Sequence, residues 1–185
     1  MSSVAETLKS RFTVADYMAW PDAERWELID GVPYNMSPAP SIRHQGIVGR
    51  IFSRLEQNLR GKSYKPFVAP VDVILSEEDV VQPDVLVVCK LEKIGEKAIH
   101  GAPDLIFEVL SPSTALKDMR EKKALYQRTG VSEYVVVDPL ENYVQRFLLN
   151  DDHRYGAADI FGIDEELPLI SLPGLTLPLA EVFDL

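Results

Sequence analysis

Cysteine is nearly missing from this chain: Cys89 is alone among 185 residues. That excludes an internal disulfide framework and any Cys-rich zinc site, and it fits a reducing compartment. Only three histidines are present, and they are scattered, which leaves little material for a closed zinc site. No stretch approaches the ~20 consecutive apolar residues of a membrane span. The opening residues MSSVAETLKSRF lack the apolar core of a signal peptide. A cytoplasmic protein with no membrane association is the expectation. Basic runs are missing too, and the net charge is −10. DNA-binding domains usually carry a basic face, because phosphate neutralisation supplies much of their affinity. Any nucleic-acid function must rest on local patches, an oligomer's groove or bound cations.

What remains is ordinary globular material, with 46% hydrophobic and 26% charged residues. The length suits a single domain spanning 1–185, its core at about 12–150, followed by a strand and a Pro-rich tail. Residues 12–20 read as a short helix capped by Thr13 and ended by Pro21. RWELIDG and VPYNM read as strands joined at Asp30-Gly31, a strong hairpin signal. Residues 41–60 read as a helix opened by Ser41 and stopped by Gly61. YKPFVA, VDVILS and PDVLVVC are strand-like, with an acidic turn at Glu77-Glu78-Asp79, and 91–102 is a connecting loop with a turn of helix. DLIFEVL is a further, almost fully apolar strand. A helix over about 114–129 ends at Gly130; strands follow at 133–137, 142–149 and near 153–160. The expected fold is α/β (α+β): a single mixed central β-sheet flanked by helices. The apolar tail 167–185 packs across the domain or against a partner subunit.

The informative residues are charges that fall inside apolar patterns, because burying an unpaired charge is costly. Glu108 sits in the middle of DLIFEVL, and Asp84 opens PDVLVVC. A paired core ion is the less favoured alternative for the first, and a strand-end or turn carboxylate the alternative for the second. In helix 41–60, Ile47, Val48, Ile51, Phe52, Leu55 and Leu59 share one arc, and His44 falls in its middle. An ordinary hydrogen-bonded core histidine would look the same. In helix 114–129, Lys122 lies on the face of Ala115, Met119 and Tyr126, one turn from Asp118 and Tyr126. A snorkelling lysine is the plainer alternative. Lys117, Arg120 and Arg128 are expected to point elsewhere, into solvent. Glu27 alternates onto a face with Ile29, and Asp72 in VDVIL is a weaker case of the same kind. An outward charge on a half-exposed strand fits either. Two carboxylates ~5 Å apart repel by roughly 3 kcal/mol at an effective dielectric of about 20. Such a cluster persists only if protonated, paired with cations or holding a metal. Oxygen ligands suit a hard cation, Mg²⁺ or Mn²⁺.

Pro83-Asp84, followed 24 residues later by Glu108-Val109-Leu110, resembles the PD-(D/E)xK nuclease superfamily signature. More specifically, ELIDG (27–31), SIRHQ (41–45), QPDVLVV (82–88), PDLIFEVLSPST (103–114) and DMREKKALYQRTGVSEYVVVDP (118–139) resemble the putative restriction endonuclease family abundant in cyanobacteria. The resemblance runs from about residue 12 to 150. It implies a restriction-endonuclease-like core, with Asp84, Glu108 and the Val109 carbonyl as ligands of Mg²⁺ or Mn²⁺. The superfamily's lysine slot here holds Leu110. In this family the lysine stands instead in a D-x-x-x-K-x-x-x-Y pattern on the next helix, matched by Asp118, Lys122 and Tyr126. Asp84, Glu108 and Lys122 are thus the implied catalytic set. Glu27 and His44 match supporting positions, where a carboxylate and an imidazole would complete a second metal or bond its water.

The expected function is divalent-metal-dependent hydrolysis of phosphodiester bonds in DNA. A catalytically inactive nuclease fold serving as a dimeric binding or scaffold module is the alternative; a purely structural ion network would explain Glu108 but not the whole motif set. Any sequence preference would come from loops such as 91–102 or from a partner. A homodimer is expected, since an acidic monomer needs help to hold DNA and two-fold symmetry suits cutting both strands.

Overall fold

A computed structural model describes residues 11–21, 25–36 and 39–184; nearly all of the opening stretch read against a signal peptide lies outside them. The chain opens with α1 (Val14–Tyr17), where Thr13 and Asp16 form a reciprocal capping box. β1 (Trp26–Ile29) and β2 (Val32–Asn35) form the expected hairpin. Its turn places Asp30 and Gly31 at positive φ, 52° and 70°. A Cβ on Gly31 would lie 2.9 Å from the Arg11 Cβ, so conformation and space both select glycine there.

α2 (Ile42–Leu59) starts where Ser41 accepts the His44 N–H. Then come β3 (Lys65–Val68), β4 (Asp72–Ser76), β5 (Asp79–Val81), β6 (Val85–Val88), β7 (Ala98–His100) and β8 (Leu105–Val109). The next helical run is broken in kind: α3 (Ala115–Lys117), a π-helical turn over Asp118–Lys122, and α4 (Lys123–Thr129). Gly130, at φ 92°, closes it in the left-handed conformation. β9 (Glu133–Asp138), β10 (Tyr143–Leu148), β11 (Asp159–Gly162), β12 (Glu166–Leu169), β13 (Leu175–Pro178) and α5 (Leu179–Phe183) complete the chain.

The class is mixed α and β as expected, but the strands do not form one sheet. They divide into a five-stranded sheet, β2-β1-β5-β4-β7, a six-stranded sheet, β11-β10-β9-β8-β6-β3, and the β12-β13 hairpin. Four of these strands escape a reading of the sequence: β12 and β13, which fold the Pro-rich tail into a hairpin, and β5 and β7. β5 hides inside the acidic turn because its first residue, Asp79, is a buried carboxylate. It accepts the Asp30 N–H at 2.8 Å, the Ser76 hydroxyl at 2.6 Å and Arg128 at 2.7 Å. β7, within loop 91–102, is held by parallel pairing to β4 rather than by its own pattern. The strand anticipated near 153–160 begins later, at Asp159, because Asn150 accepts the Asp152 and Arg154 N–H groups and holds that stretch in a turn.

The six-stranded sheet is apolar on both faces, as the continuous runs in β6 and β8 require. Val85, Val87, Leu105, Phe107, Val109, Val135 and Val137 pack against α2, β12, β13 and α5. Leu86, Val88, Ile106, Tyr134 and Val136 pack on the other face against Leu125, Tyr126 and the five-stranded sheet. The C-terminal tail belongs to the first of these layers. Leu167, Leu169, Leu172, Leu175, Leu177, Leu179, Val182 and Phe183 are buried within the chain itself. Each such side chain contributes about 1.5–3 kcal/mol by leaving water. The tail is therefore core, not a face held open for a partner subunit.

Candidate active site

Antiparallel pairing of β6 with β8 sets Val85 opposite Phe107, so Asp84, just before β6, and Glu108 lie at the same end of this strand pair. Glu108 alternates with Phe107 and so faces the layer of Leu125 and Tyr126, whereas Asp84 meets His44 of α2. Glu108 is thus carried by a central strand into the second core layer, where it is 3% exposed. Its Oε1 accepts from the Lys122 ammonium at 2.8 Å and the Tyr126 hydroxyl at 2.7 Å. The D-x-x-x-K-x-x-x-Y spacing on the helix does deliver its lysine and tyrosine to one carboxylate oxygen.

Lys122 is shared more widely. Its Nζ lies 2.7 Å from Glu27 Oε1 and 3.7 Å from Asp118 Oδ1, with all these groups buried. Glu27, brought in by β1, also accepts the Gln82 N–H at 3.1 Å and the Lys117 ammonium at 2.6 Å. Both of its oxygens therefore face donors, the surroundings of a counter-ion. Lys117 departs from the solvent position its helical spacing implies: its side chain is only 14% exposed and grips Glu27. Arg128 is exposed as expected, and from the surface it bonds Asp30 and Asp79.

At the mouth of this cluster the Asp84 Oδ2 accepts the Val109 N–H at 2.8 Å and stands 3.3 Å from His44 Nε2. The His44 ring also hydrogen-bonds the Val109 carbonyl. One imidazole thus stands beside the Asp84 carboxylate and near the Val109 main chain. His44 Nδ1 is buried with no protein partner. Ser41 fixes this histidine through the first turn of α2. Replacing Ser41 by Ala should cost about 1 kcal/mol, the usual value of an N-cap, readable as a lower urea midpoint with an unchanged m-value. Asp72 stays outside the cluster, bonded to Tyr17 and Gln82.

These surroundings set the charge states. Burial pushes the Glu108 carboxyl up to about 8; Lys122 opposes this, while Asp118, Asp84 and Glu27 add to it. Burial alone would raise Glu27, but the ammonium groups of Lys122 and Lys117 together hold it below its ordinary value. Burial would likewise lower Lys122, and Glu108, Glu27 and Asp118 reverse that, holding it well above the usual lysine range. His44 is raised because Asp84 and the Val109 carbonyl outweigh its desolvation. Cation pairing therefore governs Glu27, while burial draws Glu108 towards its protonated form despite Lys122.

Among the described residues no three His, Cys, Asp or Glu side chains form a ready-made metal cage. The donor set nevertheless fits a hard cation in kind. Two carboxylates stand at one end of the β6–β8 pair, Asp84 binds the Val109 main chain, and the Asp84 carboxylate is itself partly exposed, so oxygen donors and solvent are both at hand, as Mg²⁺ prefers. Sequence reasoning missed Lys117 and the Gln82 N–H. A contact made by main chain leaves no mark in residue identity, and five-residue spacing is not a helical neighbour distance.

The chain is similar to known proteins in sequence family and in fold. A family model described as Uma2, putative restriction endonuclease, matches residues 14–180. The crystal structure of a putative nuclease belonging to DUF820 from Anabaena variabilis ATCC 29413 superposes with a TM-score of 0.77 at 18% identity, over 93% of this chain and 97% of that one. No curated protein matches.

Proposed function

Because the chain belongs to the Uma2 family of putative restriction endonucleases, we propose that it is a divalent-metal-dependent endonuclease hydrolysing phosphodiester bonds in DNA. The observation that carries this reading is the ion pair of Lys122 with Glu108, next to the Val109 N–H that binds Asp84. A lysine absent from its usual slot, where Leu110 stands, reaches the site from the next helix instead. Asp84, Glu108 and the Val109 carbonyl would hold Mg²⁺ or Mn²⁺. Such a cation supplies Lewis-acid polarisation of the phosphate and a more acidic water.

The protein's own groups have separable tasks. Lys122 orients a water and neutralises negative charge that develops on phosphate oxygens, an interaction stronger in a dry site than in solvent. Tyr126 and Asp118 hold the Lys122–Glu108 pair in register, the first by its hydroxyl and the second by charge. His44 positions Asp84 and the Val109 carbonyl. The acidic balance of the chain makes a resident cation part of phosphate binding rather than an accessory to it. A homodimer would present two such sites to the two strands.

The test is calorimetric titration of Mn²⁺ and Mg²⁺ into wild type and Glu108→Ala, with plasmid nicking assayed on both. Metal binding and nicking by wild type, with nicking reduced at least tenfold in the variant, is the expected result. Binding without cleavage would favour an inactive binding module on a nuclease fold. No binding, with Glu108→Ala tolerated, would reduce the cluster to a structural ion network.

A further inference from the structure

Lys117 is the unexplained cation of the cluster. It lies outside the D-x-x-x-K-x-x-x-Y pattern, yet its ammonium makes the 2.6 Å contact to Glu27 Oε2 while Lys122 takes Oε1 of the same carboxylate at 2.7 Å. Residues 117 and 122 do not share a face of an α-helix: at 3.6 residues per turn, five steps leave them roughly 140° apart. Here the turn between them is π-helical, Asp118–Lys122, with i→i+5 bonding that sets residues five apart nearly one above the other. The turn is also held from outside. The Asp118 carbonyl receives the Lys123 N–H across the π turn and, in addition, the buried Tyr134 hydroxyl at 3.0 Å.

We propose that Lys117 is a positioning residue of the site: the π turn brings it to Glu27 so that Lys122 remains on Glu108. The reasoning is charge accounting inside a dry cluster. Lys122 faces Glu27, Glu108 and Asp118, and one cation cannot satisfy them all. Glu27 is the most deeply buried of the acids, at 0% exposure, so it makes the strongest demand for a counter-charge. With Lys117 in place that demand is met from the other oxygen. Without it, Glu27 draws Lys122 from Glu108. Lys117 also lies 5.6 Å from the centre of the Tyr34 ring, a second contact that fixes its approach. The inference rests on the nuclease reading for what Lys122 does next, but not for where Lys122 sits.

Crystal structures and plasmid nicking rates of Lys117→Met, Lys117→Arg and the double variant Glu27→Gln/Lys117→Met decide the matter. In Lys117→Met the Lys122 ammonium should leave hydrogen-bond reach of Glu108 Oε1, and nicking should fall at least tenfold. Lys117→Arg should keep Lys122 on Glu108. The double variant, which deletes the demand with its supplier, should return Lys122 to Glu108 and restore most of the lost rate. Should Lys117→Met not fold, Lys117→Gln poses the same question while retaining a hydrogen bond to Glu27. Lys122 unmoved when the Lys117 charge is removed would overturn the proposal. If wild type cuts no DNA, the nuclease reading fails, while the position of Lys122 still decides this one.

Discussion

Lys122→Met is expected to destabilise the folded protein by about 3–5 kcal/mol, the usual cost of removing one partner from a buried ion pair. Domains of this kind are stable by only about 5–15 kcal/mol, so the variant should lose roughly a fifth or more of its margin. Methionine fills much the same volume, so the loss is not one of packing. What changes is that Glu108, Glu27 and Asp118 remain in a dry environment after losing the ammonium that all three face. Glu27 retains Lys117, but Glu108 keeps only the Tyr126 hydroxyl as a close donor. The measurement is urea unfolding of wild type and variant at neutral pH, repeated at about pH 4.5. The deficit should shrink in acid, because the carboxylates left without a cation can take up protons instead. An equal deficit at both pH values would mean that packing, not charge, carries the loss. An unchanged midpoint at neutral pH would mean that Lys122 neutralises nothing.

The cluster behind this expectation is partly legible in the amino-acid sequence. Glu108 and Lys122 betray themselves as charges placed where an apolar periodicity calls for a hydrophobe, and both are buried. His44 shows itself the same way on α2. Their joint location does not follow from periodicity, since strand pairing decides which residue of β6 faces which residue of β8. The resemblance to the endonuclease family supplies that link. Lys117 lies beyond both methods. An α-helical wheel turns it to solvent, and only the π turn, which no propensity announces, rotates it inward. The division into two sheets is hidden for a similar reason. β5 begins with an aspartate that reads as a turn, and it becomes a strand because Asp30, Ser76 and Arg128 satisfy that carboxylate from distant parts of the chain. The tail misleads through composition. Proline and leucine in alternation look like an extended arm, and burial of that arm against α2 depends on a sheet face already built by β6, β8 and β9.

Glu108→Gln should flatten the dependence of stability on pH between about 5 and 8. Burial moves the Glu108 carboxyl from its ordinary value of 4.5 to about 8 in the folded protein. Between those values the native state therefore holds a proton that the unfolded chain has released. Stability contributed by this group is fully present below about 4.5, falls as pH rises, and is gone once pH passes the folded value. One proton corresponds to a slope of at most ~1.4 kcal/mol per pH unit, several kcal/mol across the window. His44 and Asp118 are also raised and tilt the curve in the same sense, so the variant should keep some slope from them after the Glu108 share is removed. Glutamine preserves the acceptor for Lys122 and Tyr126 without the titration. Guanidinium midpoints measured in chelator should therefore converge at acid pH and separate above neutrality, the variant becoming the more stable. Parallel curves would mean that Lys122 fully ionises Glu108 at every pH in the window. The expected divergence bears directly on the proposed reaction. A carboxylate that holds its proton near neutrality must surrender it before a cation can bind, so Mn²⁺ affinity should strengthen with pH up to about 8 and level off above it.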